Sequence, residues 1–315
     1  MNEQFDLNNS EQYTLSIRLS TDGFSFSIYN PLSGNDFYFR VYPVNTQRSM
    51  AANVKAFLSA TEELKHPFKQ TNILIQSERY TPVPLEYFED EQMEAVFYQN
   101  LPKQQNEVIL CNILGKTSTV VLFSLDKLTH LYLTEHFPSA RFFSSVSPQI
   151  EHLAYKSIQG NTYKLYANLH DRCVEAFAFD KGRLLLTNTY QTSGGNDVNY
   201  YLLNLWQQLN FDQERDEMHL IGPLEIRKEV TTCLQKYIRH VYSINPHAEF
   251  NQSESSPIES IPFDILSLIS CELSVVFIKE DALMCHVPSK HVRQPILRKK
   301  TSSMCLTAIS TLKMV

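Results

Sequence analysis

Apolar and polar residues alternate along three short runs near the start of the chain. Tyr13, Leu15, Ile17 and Leu19 share one face of the first run; Phe24, Phe26 and Ile28 share one face of the second. Phe37-Tyr38-Phe39-Arg40-Val41-Tyr42 is the third. Asp22-Gly23 and the loop NPLSGND separate the runs, so period two broken by turn residues predicts a three-stranded meander. The period then changes. Val54, Phe57, Leu58 and Leu64 fall on one stripe of a helix over about Met50–Leu64, and Asn72–Gln76 predicts a short apolar strand. The same order returns further on. Leu165, Ala167 and Leu169 alternate, and Val174, Ala176 and Ala178 alternate with Glu175, Phe177 and Phe179. Lys181-Gly182 turns the chain into a strand over Arg183–Tyr190. A helix over about Asn196–Leu209 follows, with Val198, Leu202, Leu205 and Trp206 inward, and then a strand over Glu217–Ile221. Strand-strand-strand-helix-strand therefore occurs twice, from near Tyr13 and from near Tyr163.

Between the two patterns lies additional material. Glu89–Leu101 reads as a helix with Met93, Val96, Phe97 and Leu101 inward. Glu107–Ile113 and Thr117–Phe123 read as a hairpin turned at Gly115-Lys116. Asp126 is placed to cap a helix to His136, because its carboxylate can accept the free N–H groups of a first turn. Ser147-Pro148 starts another helix, to about Ile158. In the second pattern Pro223 opens a helix with Ile226, Val230, Cys233, Leu234 and Tyr237 inward. His240–Ile244 is a strand, Asn251–Ser256 a polar loop, and Pro262-Phe263-Asp264 leads into a last helix through Ser270.

Three antiparallel strands, a helix, then alternating strands and helices is an order that resembles the ribonuclease-H-like fold. Two tandem copies resemble the actin-like ATPase architecture, whose active members bind nucleotide in the cleft between the copies. The stretch 190-YQTSGGNDVNYYLLNLWQQLNFDQERDEMHLIGPL-224 is similar to the second half of pilus-assembly and division members of that superfamily. More closely, residues 13–273 resemble a bacterial family of unknown function assigned the actin-like fold. The opening meander, the YYLLNLW helix and the ending FDILSLISCEL carry that resemblance. It implies an α/β fold of two tandem ribonuclease-H-like halves, each with a mixed sheet that starts with a three-stranded meander. The expected halves are 1–158, with an inserted helix-hairpin region at about 81–123, and 159–273. The family carries no activity to transfer.

The superfamily's nucleotide chemistry is only partly present. Active members carry Asp-x-Gly and then Ser or Thr at the first hairpin of each half. The carboxylate organises magnesium and water, and the glycine lets backbone N–H groups approach phosphate. Here the first hairpin reads Thr21-Asp22-Gly23, with Thr21 where the Asp belongs; Asp22-Gly23 also suits a plain hairpin turn. The second reads Asp171-Arg172-Cys173, with Cys173 where the glycine belongs. The adenosine motif wants two glycines after a strand, and Leu220-Ile221-Gly222-Pro223 offers one. If nucleotide binds, Asp22, Gly23, Asp171 and Gly222 are the residues expected to hold it, with ATP and magnesium as the cofactors. Otherwise no cofactor is expected. Gly194-Gly195 precedes a helix but has no Lys or Arg nearby and no P-loop spacing, and reads as a flexible turn. No nucleophile elbow appears.

Composition narrows the classes further. The chain has 315 residues, 43% of them hydrophobic, and a formal charge of −6. It is long enough for two cores, and its mild acidity makes nucleic acid an unexpected partner. The six cysteines, Cys111, Cys173, Cys233, Cys271, Cys285 and Cys305, show no zinc spacing and read as reduced thiols, so no metal is expected. With no leader pattern and no apolar run long enough to span a bilayer, the expected place is the cytoplasm. Residues 274–315 read differently. Read back from Ser270 with suitable synonymous codons, in the frame beginning at each third base, they spell a segment resembling the start of a small-subunit ribosomal RNA guanine methyltransferase. We read this tail as an out-of-frame overlap with a neighbouring gene, so its lysines are no sign of function. Two functions stay open: a non-enzymatic interaction or scaffold protein with an unknown protein partner, or a divergent nucleotide-binding ATPase. A third, association with RNA, is suggested by the basic tail and the neighbouring gene and weakened by the mild acidity of the rest. For the scaffold, the expected working surface is the cleft between halves or the region Thr81–Phe123.

Overall fold

The first alternating run becomes β1 (Thr14–Leu19), paired antiparallel with β2 (Phe24–Tyr29), which pairs in turn with β3 (Phe37–Tyr42). The computed structural model describes residues 7–30, 37–250 and 261–271; the polar loop expected at Asn251–Ser256 and the tail from residue 274 lie outside them. Helix α1 (Met50–Ala60) follows, its first turn capped by Ser49, which accepts from the Ala52 N–H. The helix stops four residues before the expected Leu64. Thr61 is extended, and Glu62–Lys65 continues as a 3-10 turn that still buries Leu64. Strand β4 (Gln70–Ile75) then lies parallel to β1, with Leu15 opposite Thr71. Phe24 and Phe26 meet Phe57 of α1 at ring-centroid separations of 5.6 and 6.1 Å, which fixes the helix over the meander.

The inserted region is a sheet of its own. β5 (Tyr80–Pro84), β6 (Glu107–Leu114) and β7 (Thr119–Asp126) run in the order β5-β7-β6. Helix α2 (Met93–Asn100) covers one face, with Phe97 buried against Val83, Ile109, Val120 and Leu122. Alternate β7 side chains, Val121, Phe123 and Leu125, enter the main core instead. Period two thus lets one strand serve two cores. The strand at Tyr80–Pro84 was not expected, because prolines argue against a strand interior. It is tolerated because β5 pairs with β7 on one side only. Asp126 caps α3 (Lys127–His136) as expected, its Oδ2 accepting from the Thr129 N–H and Oγ1, both at 2.8 Å. A further strand, β8 (Arg141–Ser144), pairs parallel with β4. Only four residues long, it is too short to show a period.

Helix α4 (Val146–Ser157) leads to the second sheet: β9 (Tyr163–Leu169), β10 (Cys173–Asp180), β11 (Arg183–Gln191), β12 (Glu217–Ile221) and β13 (His240–Ser243). Strand order is β3-β2-β1-β4-β8 in the first sheet and β11-β10-β9-β12-β13 in the second. Each joins an antiparallel meander to two parallel strands. Helices α5 (Gly195–Gln208) and α6 (Leu224–Leu234) bury Val198, Leu202, Trp206, Val230 and Leu234 against one face of the second sheet. Tyr237, expected inward, lies beyond the end of α6 and is exposed. The short α7 (Pro246–Glu249) and α8 (Phe263–Ser270) complete the described elements.

One apolar core crosses between the sheets. It takes Leu15 and Ile17 from β1, Ile150 and Leu153 from α4, and Phe177 and Phe179 from β10. Polar contacts reinforce the join. Thr189 Oγ1 of β11 donates to the Tyr80 hydroxyl at 3.1 Å, and Thr187 Oγ1 lies 3.3 Å from it. Burial raises the Tyr80 pKa well above the usual phenol range. Gln191 Nε2 also donates to Glu78 at 3.2 Å. The inserted sheet therefore clamps the second sheet to the first.

Candidate functional site

Asp22, Gly23, Asp171 and Gly222 come from three separated parts of the chain, and all four line one cavity of about 340 Å³. The ends of β1, β9 and β12 bring them there. Their individual settings differ from those of a phosphate cradle. The Asp22 N–H donates to Ser20 Oγ at 3.2 Å, and its half-exposed carboxylate lies 3.9 Å from Arg172 Nη1. Asp171 sits at an exposed turn. Gly23 has no left-handed backbone, and a Cβ there would meet only the Tyr42 carbonyl oxygen, at an ordinary 3.7 Å. Gly222 is constrained: its φ is +119°, and a Cβ would collide with the Leu169 carbonyl oxygen. The glycine thus allows the ends of β12 and β9 to close on each other. Gly222→Ala is expected to lower unfolding free energy by about 1–3 kcal/mol, measured by urea denaturation. An unchanged midpoint would mean that the β9–β12 closure is slack in solution.

Arg18, which also lines the cavity, and the buried carboxylates of Asp264 and Glu175 were not singled out by the motif pattern. Arg18 points from β1 into the interior, where its Nε donates to Asp264 Oδ2 of α8 at 2.7 Å. Asp264 is fully buried, and its other oxygen accepts from the Ile265 N–H at 2.8 Å. Burial acts to lower the Arg18 pKa, but the charge of Asp264 and its hydrogen bond outweigh that and raise it.

Glu175 of β10 is 1% exposed and collects four donors. Gln149 Nε2 (2.8 Å), Asn168 Nδ2 (3.2 Å) and His170 Nε2 (3.2 Å) reach one oxygen; Ser145 Oγ (3.3 Å) reaches the other. Burial alone would raise this carboxyl. The His170 charge, the hydrogen bonds and Arg18 together hold it at about 2 instead. Cys173, two residues away, is pushed up to about 12 by burial and by the Glu175 charge, so it is an unreactive thiol. Among the described residues, no group of three or more His, Cys, Asp or Glu side chains is placed to hold a metal ion.

One signal for Glu175 was present in the sequence. It shares a strand face with Phe177 and Phe179, so a charge stands on an apolar face. Arg18 gave none, because it shares its face with Thr14 and Ser16 and reads as solvated.

The family described as "Protein of unknown function (DUF3822)" matches residues 2–241. The chain belongs to that family. Of solved structures, this DUF3822 chain is similar to a Bacteroides thetaiotaomicron protein described as having an actin-like ATPase fold and unknown function. Identity is 41%, the match covers 85% of this chain and 99% of that one, and the TM-score is 0.77. It is also similar to a chain of a PilM-PilN type IV pilus biogenesis complex, at 13% identity, 81% and 96% coverage and a TM-score of 0.51. The first shows the actin-like fold, and the second agrees with it at the level of fold alone. The comparison with curated proteins returned no match.

Proposed function

We propose that the protein is a non-enzymatic interaction or scaffold protein, built on an actin-like fold whose nucleotide chemistry has been replaced by internal contacts. The observation that carries this reading is the 2.7 Å pair between Arg18, which lines the cavity, and the buried Asp264 behind it. An ATPase of this architecture needs free carboxylates there to organise magnesium and water. Here the buried carboxylates are already spent: Asp264 on Arg18, and Glu175 on four donors. The clamp from Tyr80 to Thr187 and Thr189 supports the same reading, since it ties together halves that would have to part to admit and release a nucleotide. The acidic charge of −6 favours a protein partner over nucleic acid. No helix among the described residues is long and apolar enough to cross a membrane, and we place the protein at work in the cytoplasm.

The second reading, a divergent nucleotide-binding ATPase, is favoured by the convergence of Asp22, Gly23, Asp171 and Gly222 on one cavity. Calorimetric titration of the full chain with ATP and magnesium separates the two. The scaffold reading expects no saturable heat under conditions where an active member of the superfamily binds. A dissociation constant of about 1 μM or tighter that weakens in Asp171→Ala would establish the ATPase reading instead.

A further inference from the structure

Sheet edges are kept from pairing with other chains by charges, prolines, short strands or covering side chains. Among the described residues, five of the six edge strands carry such a guard. β3 holds Arg40, paired with Glu63 at 2.8 Å. β6 and β8 cover each other: Asn112 of β6 donates to the Phe142 carbonyl and accepts from the Ser144 N–H, both at 2.9 Å. β5 contains Pro82 and Pro84, and β13 is only four residues long. The sixth edge is β11, nine residues from Arg183 to Gln191, and no charged residue or proline occurs from Leu184 to Asn196. Its register with β10 slips once, opposite Ala178 and Phe179, and Leu186–Gln191 pairs regularly beyond the slip. Apart from that pairing, no backbone–backbone bond to β11 is found among the described residues. The Thr189 N–H donates to the adjacent Asn188 Oδ1 at 3.0 Å, a local bond that a strand partner can replace.

We propose that this edge pairs with the same edge of a second copy of the chain, antiparallel and about a two-fold axis at Asn188, to form a symmetric dimer. A two-fold pairing sets each strand face against the same face of its copy, so the axis must pass through a residue. Leu186, Asn188 and Tyr190 share one face, and Thr187 and Thr189 the other. An axis at Asn188 sets Leu186 opposite Tyr190 of the other copy, Thr187 opposite Thr189, and Asn188 opposite itself. Apolar then meets aromatic, hydroxyl meets hydroxyl and amide meets amide, which are the favourable cross-strand pairs. Moving the axis to Thr189 would set Asn188 opposite Tyr190, and moving it to Thr187 would set Leu186 opposite Asn188. Asn188 is exposed, as the axis residue must be. Tyr201 of α5 stacks on Tyr190 at 4.6 Å, and Tyr200 beside it is 57% exposed, so the apolar contact can continue onto α5.

Charge supports a second copy as the occupant. Like charges directly opposite oppose pairing, and the self-paired stretch has no charge to repeat. The charges nearest its two ends in sequence are Arg183 and Asp197, opposite in sign. Antiparallel pairing brings Arg183 of each copy towards the Asp197 end of the other. The inference stands whether or not the cavity between the sheets binds nucleotide.

The test is sedimentation velocity of the full chain over a concentration series. A six-residue joint is small beside a standard interface, so the dimer is expected to dissociate on dilution through about 1–100 μM. Asn188→Lys and Asn188→Asp each place like charges across the axis, and each should weaken the dimer by about 10-fold or more. An equimolar mixture of the two should restore it, because only the mixed pair sets opposite charges at the axis. Circular dichroism checks that both variants are folded. A native chain that stays monomeric throughout overturns the proposal and leaves the edge to a strand of another protein. Dimerisation unchanged in both folded variants, or lost in both and not restored by mixing, also overturns it.

Discussion

Asp264→Ala is expected to cost about 3–5 kcal/mol of folding free energy, the largest effect of any single substitution considered. The Asp264 carboxylate is fully buried, and the Arg18 side chain is 11% exposed. Removing the acid leaves a guanidinium in the interior with its principal partner gone, and the Ile265 N–H loses its acceptor as well. Urea unfolding followed by far-ultraviolet circular dichroism measures the loss. The double variant Arg18→Met, Asp264→Leu is expected to recover most of it, because a buried ion pair gains little over apolar side chains of similar size once desolvation is counted. A single-variant loss below about 1 kcal/mol would mean that Arg18 reaches water, as an exposed pair does. The floor of the cavity would then be open rather than sealed. The same experiment therefore bears on function: a sealed floor is what separates the scaffold reading from a nucleotide cleft.

The elements with a strong period or a clear cap were legible. Glu217–Ile221 forms the strand expected, and Asp126 caps the helix expected of it. The two meanders follow from alternation broken at Asp22-Gly23 and Lys181-Gly182, because successive side chains of a strand point to opposite faces. Tyr80–Pro84 and Arg141–Ser144 were not legible. One hides behind prolines that only an edge tolerates, and the other is too short to repeat. For the site, resemblance to the superfamily located Asp22, Gly23, Asp171 and Gly222, which no local pattern would bring together over some two hundred residues. It did not reveal what lies beneath them. Arg18 stands on a polar strand face that alternation assigns to solvent, but β1 is a central strand covered on both sides, so that face is interior. Its partner is 246 positions away in sequence. Such a pair is visible only once the chain has folded.

Glu175 gives the second large effect, and it appears as a dependence on pH. Its folded pKa is held at about 2, against an ordinary value of 4.5. A depressed carboxyl pKa favours the native state wherever the group is ionised in both states. The contribution is therefore complete above about pH 5 and falls away as the pH drops towards 2, where the folded protein takes up the proton. The shift corresponds to about 3 kcal/mol. Urea midpoints collected down that range should decline steeply for the native chain. Glu175→Gln is expected to be less stable by about 2–4 kcal/mol at neutral pH, because the charge is lost and the amide nitrogen that replaces one oxygen cannot accept, whether from Ser145 on one side or from Gln149, Asn168 and His170 on the other. Its acid decline should be shallower, since the main titrating group is gone. Other acids with lowered values, Glu107, Glu217 and Glu249, titrate in both proteins and cancel in the difference. Parallel acid declines would show that Glu175 is not ionised within a closed network. A carboxyl at the end of the second hairpin would then be available, and the case that the buried carboxylates are committed would lose one of its two supports.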